Sequence, residues 1–128
     1  MPLLFSFLLL LSAQSPRDFA GEWQQTGVKN YSMTVGVDGN EVRVHVTSAR
    51  GHLDVLYQIG GKETVYTGLD GDEFHSRLTF EDAQFVFRIV EHERGEEIQS
   101  KEVWSLTNEG KTLKRVKGEK IYLMERVG

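Results

Sequence analysis

From residue 31 onward the chain is cut into short segments of alternating apolar and polar residues by tight-turn pairs: Asp38-Gly39, Arg50-Gly51, Gly60-Gly61, Asp70-Gly71, Arg94-Gly95, Glu109-Gly110 and Lys117-Gly118, with a glycine-free break at Glu81-Asp82. Turn signals recurring at roughly 8 to 12 residues between period-two segments specify an all-β sandwich or barrel. Nothing sustains the 3.6-residue apolar period of a capped helix, and room for one helical turn exists only around Pro16 to Ala20.

Successive residues of a strand point to opposite faces, so parity shows which side chains share an interior. Tyr31, Met33, Val35 and Val37 form one such set, Val42, Val44 and Val46 the next, then Leu53, Val55, Tyr57 and Ile59. After a short segment at 63–67 come Phe74, Leu78 and Phe80, then Phe85, Phe87 and Ile89, then Ile98, Trp104 and Leu106, then Leu113, then Ile121 and Leu123. With a first segment near Trp23 this makes about ten strands. Joined by tight turns, they most simply form an up-and-down antiparallel barrel of about 8–10 strands, whose closure removes exposed edges. An open sandwich of two sheets is the alternative.

Residues 1–15 contain no charged side chain and include the apolar run Leu3-Leu4-Phe5-Ser6-Phe7-Leu8-Leu9-Leu10-Leu11. That run is too short to cross a bilayer as a helix and fits the core of a secretory signal, so we expect residues 1–15 to be a signal peptide and 16–128 the mature barrel, secreted or periplasmic. A buried N-terminal strand or helix is the alternative. The chain has no cysteine, which excludes disulfides and thiolate chemistry. The formal net charge of −4 is uneven: residues 63–109 carry twelve acidic and four basic side chains, while residues 111–128 carry six basic and two acidic. An acidic middle argues against a nucleic-acid surface. No membrane-integral segment is expected after signal removal, and the barrel is expected to be a monomer.

Phe19-Ala20-Gly21-Glu22-Trp23 contains the Gly-x-Trp pattern that opens the first strand of lipocalins and their relatives. Farther on, Gly60-Gly61-Lys62-Glu63 and the stretch Glu102-Val103-Trp104-Ser105-Leu106 through Leu113 resemble two hairpins of small secreted bacterial lipocalin-like proteins, in the same order. This resemblance implies a calycin-type barrel, an export route and a Trp23 that closes one barrel end under an arginine, with Arg126 or Arg115 the candidates here. It transfers no activity, and the lipocalins' later motifs and disulfides are missing.

The histidines at 45, 52, 75 and 92 have no His-x-His or His-x-x-x-His spacing and fall on polar faces, which reads as surface placement without a metal site. His45 and His52 flank one turn and are expected as cross-strand neighbours. The acidic run Glu91, Glu93, Glu96 and Glu97 surrounds Arg94-Gly95 and reads as a solvated hairpin tip. Glu102 stands apart, because it shares parity with Ser100, Trp104 and Leu106. An unbulged strand places it inside, where it must be paired, protonated or near an opening. Arg88 or Arg126 would be the pairing cation. A bulge near Lys101 would turn it outward instead.

Two function classes follow, both non-enzymatic and without a cofactor. The barrel either holds a small apolar or amphipathic molecule against Tyr31, Tyr57, Ser76, Phe87, Ser100, Glu102 and Trp104, or it has a filled core and acts on proteins through its surface and hairpin loops. A ligand-sized internal cavity, about 300 Å³ or more, favours the first. A hydrolase or isomerase pairing Glu102 with a histidine at the barrel mouth is a third, weaker class.

Overall fold

The computed structural model describes residues 14–128; the expected signal segment lies almost wholly outside the described residues. A single 3-10 turn, Pro16–Phe19, leads into ten strands: β1 Gly21–Gln25, β2 Ser32–Asp38, β3 Glu41–Ser48, β4 Gly51–Gln58, β5 Glu63–Thr67, β6 Glu73–Glu81, β7 Gln84–Glu93, β8 Glu96–Thr107, β9 Thr112–Lys117 and β10 Lys120–Arg126. Each expected turn pair falls at a strand end or in the connection beside it, including Glu81-Asp82, where Asp82 and Ala83 both take positive φ.

All neighbouring pairs are antiparallel, and the strand order is β4-β3-β2-β1-β10-β9-β8-β7-β6-β5. The β1–β10 ladder, with Trp23 opposite Arg126, joins the two ends of the chain and curls the meander into a nearly closed barrel, not a sandwich. Its seam runs between β4 and β5, the two ends of the sheet. At one end of the seam the Gly60 and Gly61 amides both donate to the Leu78 carbonyl, beside a bridge of Ile59 to Leu78.

The inward set matches the parity reading on β2, β3, β4, β6 and β7, where Met33, Val35, Val42, Val44, Val55, Tyr57, Leu78, Phe85 and Phe87 are buried. On β10 the faces are exchanged. Ile121 and Leu123 are 58% and 45% exposed, and Met124 is fully buried. The cause is the tight Gly118-Glu119 turn, which sets Lys117 opposite Lys120 and so puts Tyr122 beside Arg115 and Met124 beside Leu113 on the inner face. Ile98, also expected inside, is exposed at the far end of β8 opposite Glu91.

Candidate functional site

The interior divides into two halves. At the closed end Phe19, Trp23, Phe80, Phe85, Leu78, Leu113 and Met124 fill the barrel, with Phe19 packed 4.6 Å from Phe85 between ring centres. The Trp23 indole donates to the Phe19 carbonyl at 3.0 Å, and Arg126, not Arg115, lies over its ring. At the other end the walls separate around a cavity of about 210 Å³. Met33, Val44, Val46, Leu53, Tyr57, Tyr66, Phe74, Phe87, Ile89 and Trp104 supply most of its lining, with Tyr31, Glu102 and Arg115 at its polar corner. A wider depression of about 520 Å³ lies over Gln24, Ser32 and Thr47 and shares only Tyr31 with this cavity.

The polar corner follows from strand register. Pairing between β7 and β8 is unbroken from Phe85 opposite Trp104 to Glu93 opposite Glu96, so no bulge occurs at Lys101 and Glu102 points inward, 8% exposed. On β9, Arg115 shares the inner face with Leu113 and sits opposite Trp104. Its Nε donates to Glu102 Oε2 at 2.9 Å, and the Trp104 indole donates to the same oxygen at 2.6 Å. Arg115 Nη1 reaches the Tyr31 hydroxyl at 3.4 Å, and the guanidinium carbon lies 5.6 Å from the ring centres of both Trp104 and Tyr122. Burial works against the Arg115 charge, but the Glu102 carboxylate and Tyr31 outweigh it and hold its pKa above the ordinary arginine value. The Glu102 partner is therefore Arg115 rather than Arg88, which pairs with Glu81 outside the barrel, or Arg126 at the closed end.

A second polar contact lies in the cavity wall. Tyr57 and Ser76 each donate to the Tyr66 hydroxyl, both at 3.5 Å. Burial, then the neighbouring Tyr66, pushes the Tyr57 phenol well above its usual pKa, so it remains a neutral hydrogen-bonding group.

Of the seven residues read from the sequence, Tyr31, Tyr57, Phe87, Glu102 and Trp104 converge on the cavity. Ser76 lies behind Tyr66, fully buried, and Ser100 lies farther along β8 beside Ile89. The reading missed Arg115 as an interior residue and Tyr66 as the hydroxyl that gathers Tyr57 and Ser76. Parity with Leu113 was the available signal for Arg115.

The cavity reaches the β5–β6 turn at Gly68, Leu69 and Asp70. That turn meets the β3–β4 turn across the seam, where Arg50 and Asp70 form an exposed ion pair at 2.5 Å. Seam and cavity therefore share one end of the barrel.

The histidines lie on the outer face, as expected. His45 and His52 stack with ring centres 5.7 Å apart. His75 and His92 also meet, at 4.8 Å across β6 and β7, a contact their sequence spacing does not announce. His75 bridges Glu63 and Glu73, each at 3.1 Å. Among the described residues, Glu73, His75 and His92, and separately Asp72, Glu91 and Glu93, bring potential metal-ligating atoms within 4.8 Å of one another.

No protein-family model and no curated protein matches this sequence. Solved structures do. A REP1-NXSQ fatty acid transporter superposes with a TM-score of 0.71 at 12% identity, covering 87% of this chain and 97% of that one. Caenorhabditis elegans lipid binding protein 8, in its apo form, gives 0.68 at 17% identity over 89% and 97%. A Schistosoma mansoni fatty acid binding protein in complex with arachidonic acid gives 0.67 at 14% identity over 87% and 97%. At such identities the likeness is one of fold: the chain forms a ten-strand up-and-down antiparallel, lipocalin-like barrel.

Proposed function

We propose that this protein is an exported, non-enzymatic carrier that holds one small apolar or amphipathic molecule in the hollow half of its barrel. The observation that carries the reading is the cavity itself, walled by aliphatic and aromatic side chains with a few convergent polar groups at one corner, the usual make-up of a small-molecule site. At about 210 Å³ it falls below the size expected from the sequence for carriage, so the guest is small. The solved neighbours described as transporting or binding fatty acids support the same reading. Among the described residues the cavity lining contains no histidine, and Glu102 is engaged by Arg115 and Trp104.

Titration with the neutral fluorophore 1-aminoanthracene tests the site. We expect saturable one-to-one binding that quenches Trp104 and is lost in a cavity-filling Val46→Phe variant that still melts cooperatively. Absence of saturable binding, or equal binding by Val46→Phe, would refute the reading and return the interaction-module alternative. Export is tested separately by intact mass from the native host. A chain beginning between Gln14 and Arg17 supports it, and Met1 retained on a cytoplasmic protein overturns it.

A further inference from the structure

Resting on the carrier reading, the geometry points to a guest with an uncharged head that both donates and accepts hydrogen bonds, such as a primary amide or a hydroxyl, rather than a carboxylate or an amine. We infer this from how the Glu102–Arg115 pair spends its atoms. Glu102 Oε2 accepts from both Arg115 and Trp104, while Oε1 accepts from no described residue. Arg115 uses Nε on Glu102 and Nη1 on Tyr31 and the Met124 sulfur, while Nη2 donates to no described residue. No fully buried side-chain nitrogen or oxygen among the described residues lacks a partner. Both free atoms therefore keep open surface, and both residues line the cavity.

The corner thus offers one unpartnered acceptor and one unpartnered donor on two paired residues, with their formal charges already matched. A carboxylate guest would bring a second negative charge to a single guanidinium that Glu102 already holds, and one anion would have to give way. An ammonium guest would meet the opposite conflict at Arg115. A neutral amide satisfies both atoms at once, whereas a guest able only to accept leaves Glu102 Oε1 desolvated without a donor, and such unpaired groups produce strong discrimination.

Displacement of 1-aminoanthracene at neutral pH by four probes of equal chain length, octanamide, N,N-dimethyloctanamide, octanoate and octylammonium, tests this. Octanamide should bind about tenfold or more tighter than its dimethyl analogue, which has more apolar area but no donor, a difference of roughly 1.4 kcal/mol. Both ions should bind more weakly than octanamide. Glu102→Gln should reverse the order for octanoate, which should tighten at least about tenfold. Ranking dimethyloctanamide equal to or above octanamide, or octanoate equal to or above octanamide in the wild type, would overturn the head-group assignment and leave the carrier standing. Failure of every probe to displace the dye, alongside no saturable dye binding, would sink the carrier itself. Should Glu102→Gln fail to fold, the wild-type ranking decides.

Discussion

The Arg126 guanidinium lies 4.3 Å from the Trp23 ring centre and simultaneously donates to the carbonyls of Asp18, Ala20 and Gly110. One side chain from the last strand thereby fastens the 3-10 turn, β1 and the β8–β9 connection over a fully buried indole. Gly21 has no substitute in this arrangement. Its φ is +140°, and a Cβ there would come within 2.5 Å of Arg126 Nη1. The glycine and tryptophan of the opening motif are thus two halves of one contact, the first leaving room for the cation that covers the second.

Trp23→Ala should cost about 3–5 kcal/mol, the range for large aromatic truncations in cores. Arg126→Ala removes the stacked cation, a contribution of about 0.5–2 kcal/mol, along with its carbonyl contacts. Urea denaturation measures both. A loss below about 1 kcal/mol for Trp23→Ala would show that the closed end does not depend on the plug.

Removing one member of the interior ion pair should be far worse than removing both. Arg115→Met leaves Glu102 without its cation inside the barrel and should destabilise by about 3–5 kcal/mol. Combining it with Glu102→Leu should recover a large part of that loss, because neither charge then needs solvation. A double-mutant cycle reads the coupling directly. Strictly additive losses would contradict the geometry at this corner.

Hydrogen bonds to Glu73 and then Glu63 raise the His75 pKa above the ordinary histidine value of 6.5. The folded state therefore binds this proton more tightly than the unfolded chain. Its stabilising contribution is fully present below the unfolded pKa and fades as pH rises through the folded one. NMR titration should place the His75 midpoint above 6.5 in the wild type and nearer that value in a Glu63→Gln, Glu73→Gln variant. An unchanged midpoint would show that the two contacts do not persist in solution.

Arg50→Ala removes an exposed ion pair and should leave stability within about 1 kcal/mol of wild type. Its effect should appear in kinetics, because the pair ties two turns at the end of the seam where the cavity lies. Stopped-flow mixing with 1-aminoanthracene should show faster entry and exit for the variant, and a smaller difference from wild type at high salt. Equal rates at low salt would place the entrance elsewhere.

The barrel was legible because most of its signals are local: turn pairs, period-two alternation and the short motifs around Trp23, Gly60-Gly61 and Trp104 are each visible within short windows. Glu102 was singled out because burying a carboxylate is costly, but parity alone left inward and bulged placements open until the unbroken β7–β8 register decided between them. Arg115 escaped because its strand carries too few apolar residues to declare a face. Its inward turn is set by Leu113 and by pairing with β8. Ile121 and Leu123 misled for the complementary reason: their apolar character suggested the core, whereas the tight turn before β10 fixes the opposite parity. The meeting of His75 with His92 depends on the β6–β7 register, which no single segment encodes.

The strand order leaves β4 and β5, joined by the Ile59–Lys62 hairpin, as the two free edges of the sheet. Parting them requires no backbone ladder to unzip. It breaks the Arg50–Asp70 pair and a few side-chain contacts, and the β1–β10 closure on the opposite wall stays intact. The barrel can widen along one slit while its plugged end keeps shape, as a clasp opens on a fixed hinge. On the carrier proposal, dwell time would be governed by the slit and preference by the Glu102–Arg115 corner. The two properties sit on different strands and can vary independently.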